Sequence, residues 1–256
     1  MNIKNDTGKI GLALGGGAVL GAAHVGVLKA LEEYDIRLHC MAGTSIGAFI
    51  AGLYAFGVTS AEIATLVADL SWLDITGFKF SRHGFLSNKK LGGIIKECIG
   101  DVAIENAKIP LALVATDIGS GEKVIITEGD LSLGVMASSC LPGIFSPVEI
   151  ADRLLVDGGL VENVPLSALK ALGAETTIGV DLNANRRYQR PEDIIDVLSN
   201  AIDIAIDNAT RVQAERSDIL IAPDLNAFSR TDSQAVKDLI EVGYSCAKAE
   251  FEKYIK

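Results

Sequence analysis

The sequence predicts one α/β domain in which a mainly parallel sheet is covered by helices on both faces. Three observations carry this expectation. The chain has 256 residues with no Pro/Ser/Gly-rich linker, charge run or internal repeat. Short apolar or β-branched runs alternate with segments of helical period, and glycine-rich turns stand at strand-to-helix junctions. The domain is expected to span residues 1–256, with its core at about 9–222 and a closing helix at 232–255.

Lys9 to Leu14 reads as a first strand ending in Gly15-Gly16-Gly17-Ala18-Val19-Leu20-Gly21, after which His24, Val27, Leu28 and Leu31 follow helical spacing. The apolar run Leu38 to Ala42 is a second strand, placing His39 in it. Then comes Gly43-Thr44-Ser45-Ile46-Gly47 and an uncharged helical stretch from Phe49 to Phe56. Gly57 fits a C-terminal cap, and Thr59 with Glu62 a capping box for a helix from Ser60 to Leu70.

Leu111 to Thr116 and Lys123 to Thr127 form a strand pair around Gly119-Ser120-Gly121. Leu131 to Ser139 is a short helix. Pro147 to Val156 gives two strand pieces with a turn at Asp152-Arg153, closed by Asp157-Gly158-Gly159. Thr176 to Leu182 is a strand, followed by a polar loop with Arg186, Arg187 and Arg190. Pro191 then suits the first turn of a helix with apolar residues at Ile194, Ile195, Leu198, Ile202, Ala205 and Ile206. Ser217 to Ala222 is the last strand, and Thr231 with Gln234 caps the closing amphipathic helix.

The net charge of −10 argues against nucleic-acid binding and against recruitment of the whole molecule to an anionic membrane by charge. Membrane contact is therefore expected to be local. Cys40, Cys98, Cys140 and Cys246 are too dispersed for a zinc site or a disulfide framework, and read as reduced, buried thiols of a cytoplasmic protein. Lys4 and Lys9 before Gly11 to Ala23 imitate a signal peptide, but five glycines in those thirteen residues favour a buried strand and turn. The uncharged stretch Leu38 to Ala61 breaks into strand, turn and helix rather than a membrane span.

One segment departs from the acidic background. Between Asp74 and Glu97 there is no acidic residue, while Lys79, Arg82, Lys89, Lys90 and Lys96 interleave with Phe78, Phe80 and Phe85 after Trp72. Such a patch suits an anionic lipid surface. The same residues also suit a connection whose phenylalanines tuck into the core.

Chemistry concentrates at three glycine-rich places. The G-x-S-x-G at Gly43 to Gly47 would put the Ser45 hydroxyl at a tight turn above a helix N-terminus, with glycines where side chains would collide. The glycine loop at Gly15 to Gly21 offers backbone N–H groups to an anion. Its spacing is not that of a dinucleotide fingerprint, no ribose-binding acid ends the second strand, and G-K-[ST] is missing. The oxyanion of an acyl-transfer intermediate is the remaining candidate. The three histidines, His24, His39 and His83, all precede Asp157, so no Ser…Asp…His order exists; His24 and His39 suit packing, and His83 lies in the cationic patch. A base for Ser45 is most economically a carboxylate. Asp157 is best placed, although Asp-Gly is also a common turn.

Glycine loop, G-x-S-x-G and Asp157-Gly158-Gly159 in this order resemble the patatin-like phospholipase family. The resemblance includes Gly26-Val27-Leu28, Gly84-Phe85-Leu86, Ala115-Thr116-Asp117, and Ala137-Ser138-Ser139 with Pro142 and Phe145. It implies a three-layer patatin-like fold and a Ser45-Asp157 dyad. It also implies an oxyanion hole from the backbone of Gly16, Gly17 and Ala18, and hydrolysis of lipid acyl esters through an acyl-enzyme, with no cofactor and no metal. Gly15, Gly21, Gly43, Gly47, Gly158 and Gly159 are the motif glycines. One position departs: Leu20 stands where the family usually has Arg or Lys, which weakens the expectation of a phospholipid substrate. A lipid acyltransferase on the same fold, a catalytically silent lipid-binding protein and a nucleotide-binding protein are the alternatives. The expected partner is an acyl-ester lipid, met peripherally at a membrane through a lid at residues 75–96.

Overall fold

A computed structural model describes residues 8–69, 88–188, 190–229 and 233–255. Eight strands form one sheet: β1 (Ile10–Leu14), β2 (Cys40–Thr44), β3 (Leu111–Asp117), β4 (Lys123–Ile126), β5 (Val148–Ile150), β6 (Arg153–Asp157), β7 (Thr176–Val180) and β8 (Ile219–Ile221). Their order is β5-β6-β3-β2-β1-β7-β8, with β4 also on β3. The pairs β1–β2, β1–β7, β2–β3 and β7–β8 are parallel, and β3–β4, β3–β6 and β5–β6 antiparallel. The central strands are buried along their whole length, as a sheet covered on both faces requires.

The helices among the described residues are α1 (Ala22–Glu33), α2 (Ile46–Ala55), α3 (Ser60–Asp69), α4 (Lys89–Ile99), α5 (Leu131–Ser138), α6 (Leu166–Ala171), α7 (Ile194–Ala214) and α8 (Val236–Phe251). One apolar cluster packs α1, α2 and α8 on one face of the sheet, while Leu166, Ala168 and Leu169 of α6 join Ala13, Ala42 and Val114 on the other. The helix α1 meets α8 at backbone distance: a Cβ on Gly26 would lie 2.0 Å from the Ile240 carbonyl oxygen, and one on Gly243 2.0 Å from that of Ala23.

Several expectations shift in detail. The capping box before α3 forms, with Thr59 N–H donating to Glu62 Oε2 at 2.8 Å and Glu62 N–H to Thr59 Oγ1 at 3.3 Å. Pro191 is not in the first turn of α7, because Asp193 is the cap and accepts the Asp196 N–H at 2.9 Å. The β5–β6 turn is at Ala151-Asp152, both with positive φ, one residue earlier than expected. His39 lies just before β2, not in it. Cys98 is exposed, unlike the buried Cys40 and Cys140. The helix α6, six residues long, was not expected from the sequence. Of the expected lid, residues 75–87 lie outside the described residues and the remainder enters α4; Thr231 also lies outside them.

Candidate active site

Strand register brings the two carboxyl-terminal ends of interest together. Leu113 and Val114 of β3 pair with both β2 and β4, while Ala115 and Thr116 pair with both β4 and β6. So β2 and β6 follow one another along the same edge of β3. β2 ends with Thr44 opposite Val114, and β6 ends with Asp157 opposite Ala115, the next residue along. Ser45 leaves the end of one strand as Asp157 ends the other.

Ser45 has φ 56° and ψ −125°, a conformation costly for a residue with a Cβ, and is the N-cap of α2. The crowding around it explains both flanking glycines. A Cβ on Gly43 would meet the Gly47 oxygen at 2.5 Å, and one on Gly47 would meet the Leu14 oxygen at 2.1 Å. The Ser45 N–H donates to Ser138 Oγ at 2.9 Å, and that hydroxyl donates to the Val114 oxygen at 2.6 Å, pinning the turn to α5 and β3.

Asp157 is buried, and its Oδ1 accepts the Gly159 N–H at 2.8 Å. Its own N–H donates to the Cys140 oxygen at 2.8 Å and its carbonyl accepts Thr116 Oγ1 at 2.9 Å. The backbone of the acid is thus fixed from both sides. Burial, then the charge of Asp157, pushes the Cys140 thiol up to about 12, so it stays protonated at neutral pH.

The glycine loop is tied at both of its first two residues. The Gly15 N–H donates to the Val180 oxygen at 3.1 Å, and His24 Nε2 donates to the Gly15 oxygen at 2.7 Å. Burial lowers the His24 pKa to about 4, so the ring is neutral with its proton on Nε2. The Gly16 N–H donates to Asn163 Oδ1 and the Asn183 Nδ2 to the Gly16 oxygen, both at 3.0 Å. Gly17 and Ala18 then begin a 3₁₀ turn, Ala18–Gly21, whose first N–H groups have no acceptor within the turn. Leu20 is buried in that turn.

These parts line one cavity of about 40 Å³, with Gly16, Gly17, Ala18, Ser45, Asp157 and Asn163 among its walls. Gly16 touches both sides: a Cβ there would lie 3.2 Å from Ser45 Cβ and 2.7 Å from Asn163 Oδ1. A glycine is required where loop, serine and amide converge. Ile202, Asp203, Ile206 and Asp207 of α7 form another wall of the cavity. A larger cavity of about 370 Å³ shares Asp203 with it but holds neither Ser45 nor Asp157.

Asn163 and Asn183 are contributors that sequence reasoning missed, while His24, read as a packing residue, and Ser138, quoted only within a motif, prove to hold the glycine loop and the serine turn. Asn163 partners a residue 147 positions away, which no local periodicity reveals. The stretch Asp157 to Pro165 offered one signal, an asparagine six residues after the acid, next to Glu162 and between apolar Val161 and Val164. No group of side chains among the described residues has the makings of a metal site.

The family model for patatin-like phospholipase matches residues 12–170. The chain belongs to the patatin-like phospholipase family. An uncharacterized NTE family protein of Mycobacterium bovis is 35% identical over 179 residues, 69% of this chain and 50% of that protein. Lysophospholipase NTE1 of Eremothecium gossypii is 35% identical over 192 residues, 68% of this chain and 12% of that protein. The chain therefore spans half or less of these relatives. The crystal structure of VipD from Legionella pneumophila shares the fold, with a TM-score of 0.57 at 14% identity over 98% of this chain and 67% of that one.

Proposed function

We propose that the chain is a serine hydrolase of lipid acyl esters, with Ser45 as nucleophile on a nucleophile elbow and Asp157 as its base. The observation that carries this is the meeting of β2 and β6 on one edge of β3, which opens Ser45 and Asp157 into one cavity beside the glycine loop. Asp157 takes the Ser45 proton as Oγ bonds to the ester carbonyl carbon. The carbonyl oxygen becomes an oxyanion that accepts from the glycine loop. Gly16 N–H is engaged by Asn163, so the donors are those of Gly17 and Ala18, with Gly16 holding them in place. Collapse breaks the bond to the alcohol, which leaves with the proton from Asp157. Water then attacks the acyl-enzyme, again with Asp157 as base, and collapse breaks the bond from the acyl carbon to Ser45 Oγ, which regains the proton from Asp157 as the fatty acid leaves.

The name of the fungal relative supports an ester of a lysophospholipid as the first substrate to try. The proposal includes cytoplasmic location and peripheral membrane contact by the basic stretch at residues 75–96. Ser45→Ala and Asp157→Asn are each expected to abolish turnover of a chromogenic acyl ester while circular dichroism stays native, and the double variant to be no worse than the poorer single. Most of the activity surviving in either single variant would remove that residue from the dyad. Product analysis with an added alcohol separates hydrolysis from acyl transfer.

A further inference from the structure

The helix α7 is amphipathic the wrong way round for a surface helix of an acidic protein. Its acidic side chains Asp203 and Asp207 turn toward the body, where Arg186 meets them at 2.7 and 3.4 Å and Tyr188 donates to Asp207 at 2.5 Å. The opposite stripe runs from Ile194 through Val197, Leu198 and Ala201 to Ile204 without a charged or polar side chain, then passes the exposed Asn208 to reach Val212, beside the exposed Arg211. Its five large side chains are between 42% and 68% exposed. Of nine large apolar or tyrosine side chains exposed among the described residues, these five sit on this one helix. At about 1.5 Å per residue the run from Ile194 to Ile204 is an apolar band about 15 Å long, with Val212 standing beyond Asn208.

We infer that this outward face of α7 is a docking surface for a neutral lipid surface, and that docking sets the Ser45 cavity against the lipid. The inference rests on the lipid-ester reading of that cavity. Two observations choose the occupant. The same helix lines the cavity from its inner side with Ile202, Asp203, Ile206 and Asp207, so whatever the outer face of α7 touches lies one helix away from Ser45 and Asp157. A second copy of this chain would bring another net charge of −10 to the contact, whereas a zwitterionic bilayer presents apolar interior without opposing charge. The cavity of about 40 Å³ is far below the roughly 300 Å³ of a ligand pocket, and α7 forms one of its walls. Burying the outer stripe of α7 in lipid is a source of free energy for moving that wall.

The test uses the whole chain as Ser45→Ala, which prevents turnover, sedimented with phosphatidylcholine vesicles. Adding Val197→Ser, Leu198→Ser and Ile204→Ser should lower vesicle partitioning by about tenfold or more. The pair Ile118→Ser and Leu154→Ser, exposed just after β3 and in β6 instead, should change it by less than about twofold. Because the stripe is uncharged, binding should persist at high salt. Equal partitioning with and without the three α7 changes overturns the inference, as does binding that salt abolishes. So does a dimer of the parent that these changes dissociate while vesicles bind neither protein. Native circular dichroism of the variant excludes unfolding as the cause. Absence of ester turnover by the wild-type chain, with vesicle binding still dependent on α7, would instead count against the hydrolase alone.

Discussion

At the scale of single residues, the glycine loop depends on side chains distant in sequence. Asn163→Ala removes the acceptor of the buried Gly16 N–H and should cost about 1–3 kcal/mol. Asn163→Asp, which keeps an oxygen there, should cost less in thermal melts; equal losses would show that the Gly16 bond contributes little. Two buried groups give a pH dependence with opposite signs. His24 titrates at about 4 when folded and 6.5 when unfolded, so the unfolded chain binds more protons in that window and stability falls as pH drops through it. Asp181, raised by burial to about 6 despite the Asn183 N–H, works the other way from 3.8 to 6, with Asp207 adding to the rise and Arg211 opposing it. Between pH 4 and 6 the two largely cancel. Asp181→Asn should therefore expose the histidine: stability measured by urea unfolding should fall on acidification more steeply than in wild type, by up to about 1.4 kcal/mol per pH unit. Parallel curves for the two proteins would refute the assignment.

Among elements, propensity and packing give opposite answers at the α1–α8 crossing. Helix propensity alone favours Ala over Gly by about 1 kcal/mol within α1 and α8. A methyl group at Gly26 or Gly243 would stand 2.0 Å from a carbonyl oxygen of the other helix, a collision only a shift of the whole helix relieves. Gly26→Ala and Gly243→Ala are expected to destabilise by about 1–3 kcal/mol or more, read from thermal melts. A raised melting temperature would mean that the helices can separate without loss. The same conflict explains what was legible here. Gly26 with Val27 and Leu28 was visible as part of a motif, whereas its partner 217 residues later was not, because contact across the chain leaves no period in either segment. In α7 the apolar spacing marked a helix correctly, yet Ile194 and Leu198 face outward while Ile202 and Ile206 line the cavity.

For the whole molecule, the net charge of −10 is spread over a small surface and repels itself. Raising ionic strength from about 0.01 to 0.15 M shortens the screening length from roughly 30 to 8 Å, so the melting temperature should rise, by about 2–4 °C for each kcal/mol relieved. Calorimetry showing a fall with added salt would mean that attractive ion pairs such as Arg186 with Asp203 outweigh the repulsion. Charge of this kind is a property of composition and needs no fold to be read. The same holds for the alternation of strands and helices, the strand-turn-helix around Ser45 and the turn after Asp157, because apolar period and glycine placement are local. Pairing of β2 and β6 along one edge of β3 was decided only by the tertiary structure, as were the ties of Asn163, Asn183 and His24 to the glycine loop and the outward turn of the apolar face of α7. Each joins segments far apart in the chain, and register, buried hydrogen bonds and the choice of exposed face depend on what the rest of the chain places opposite them.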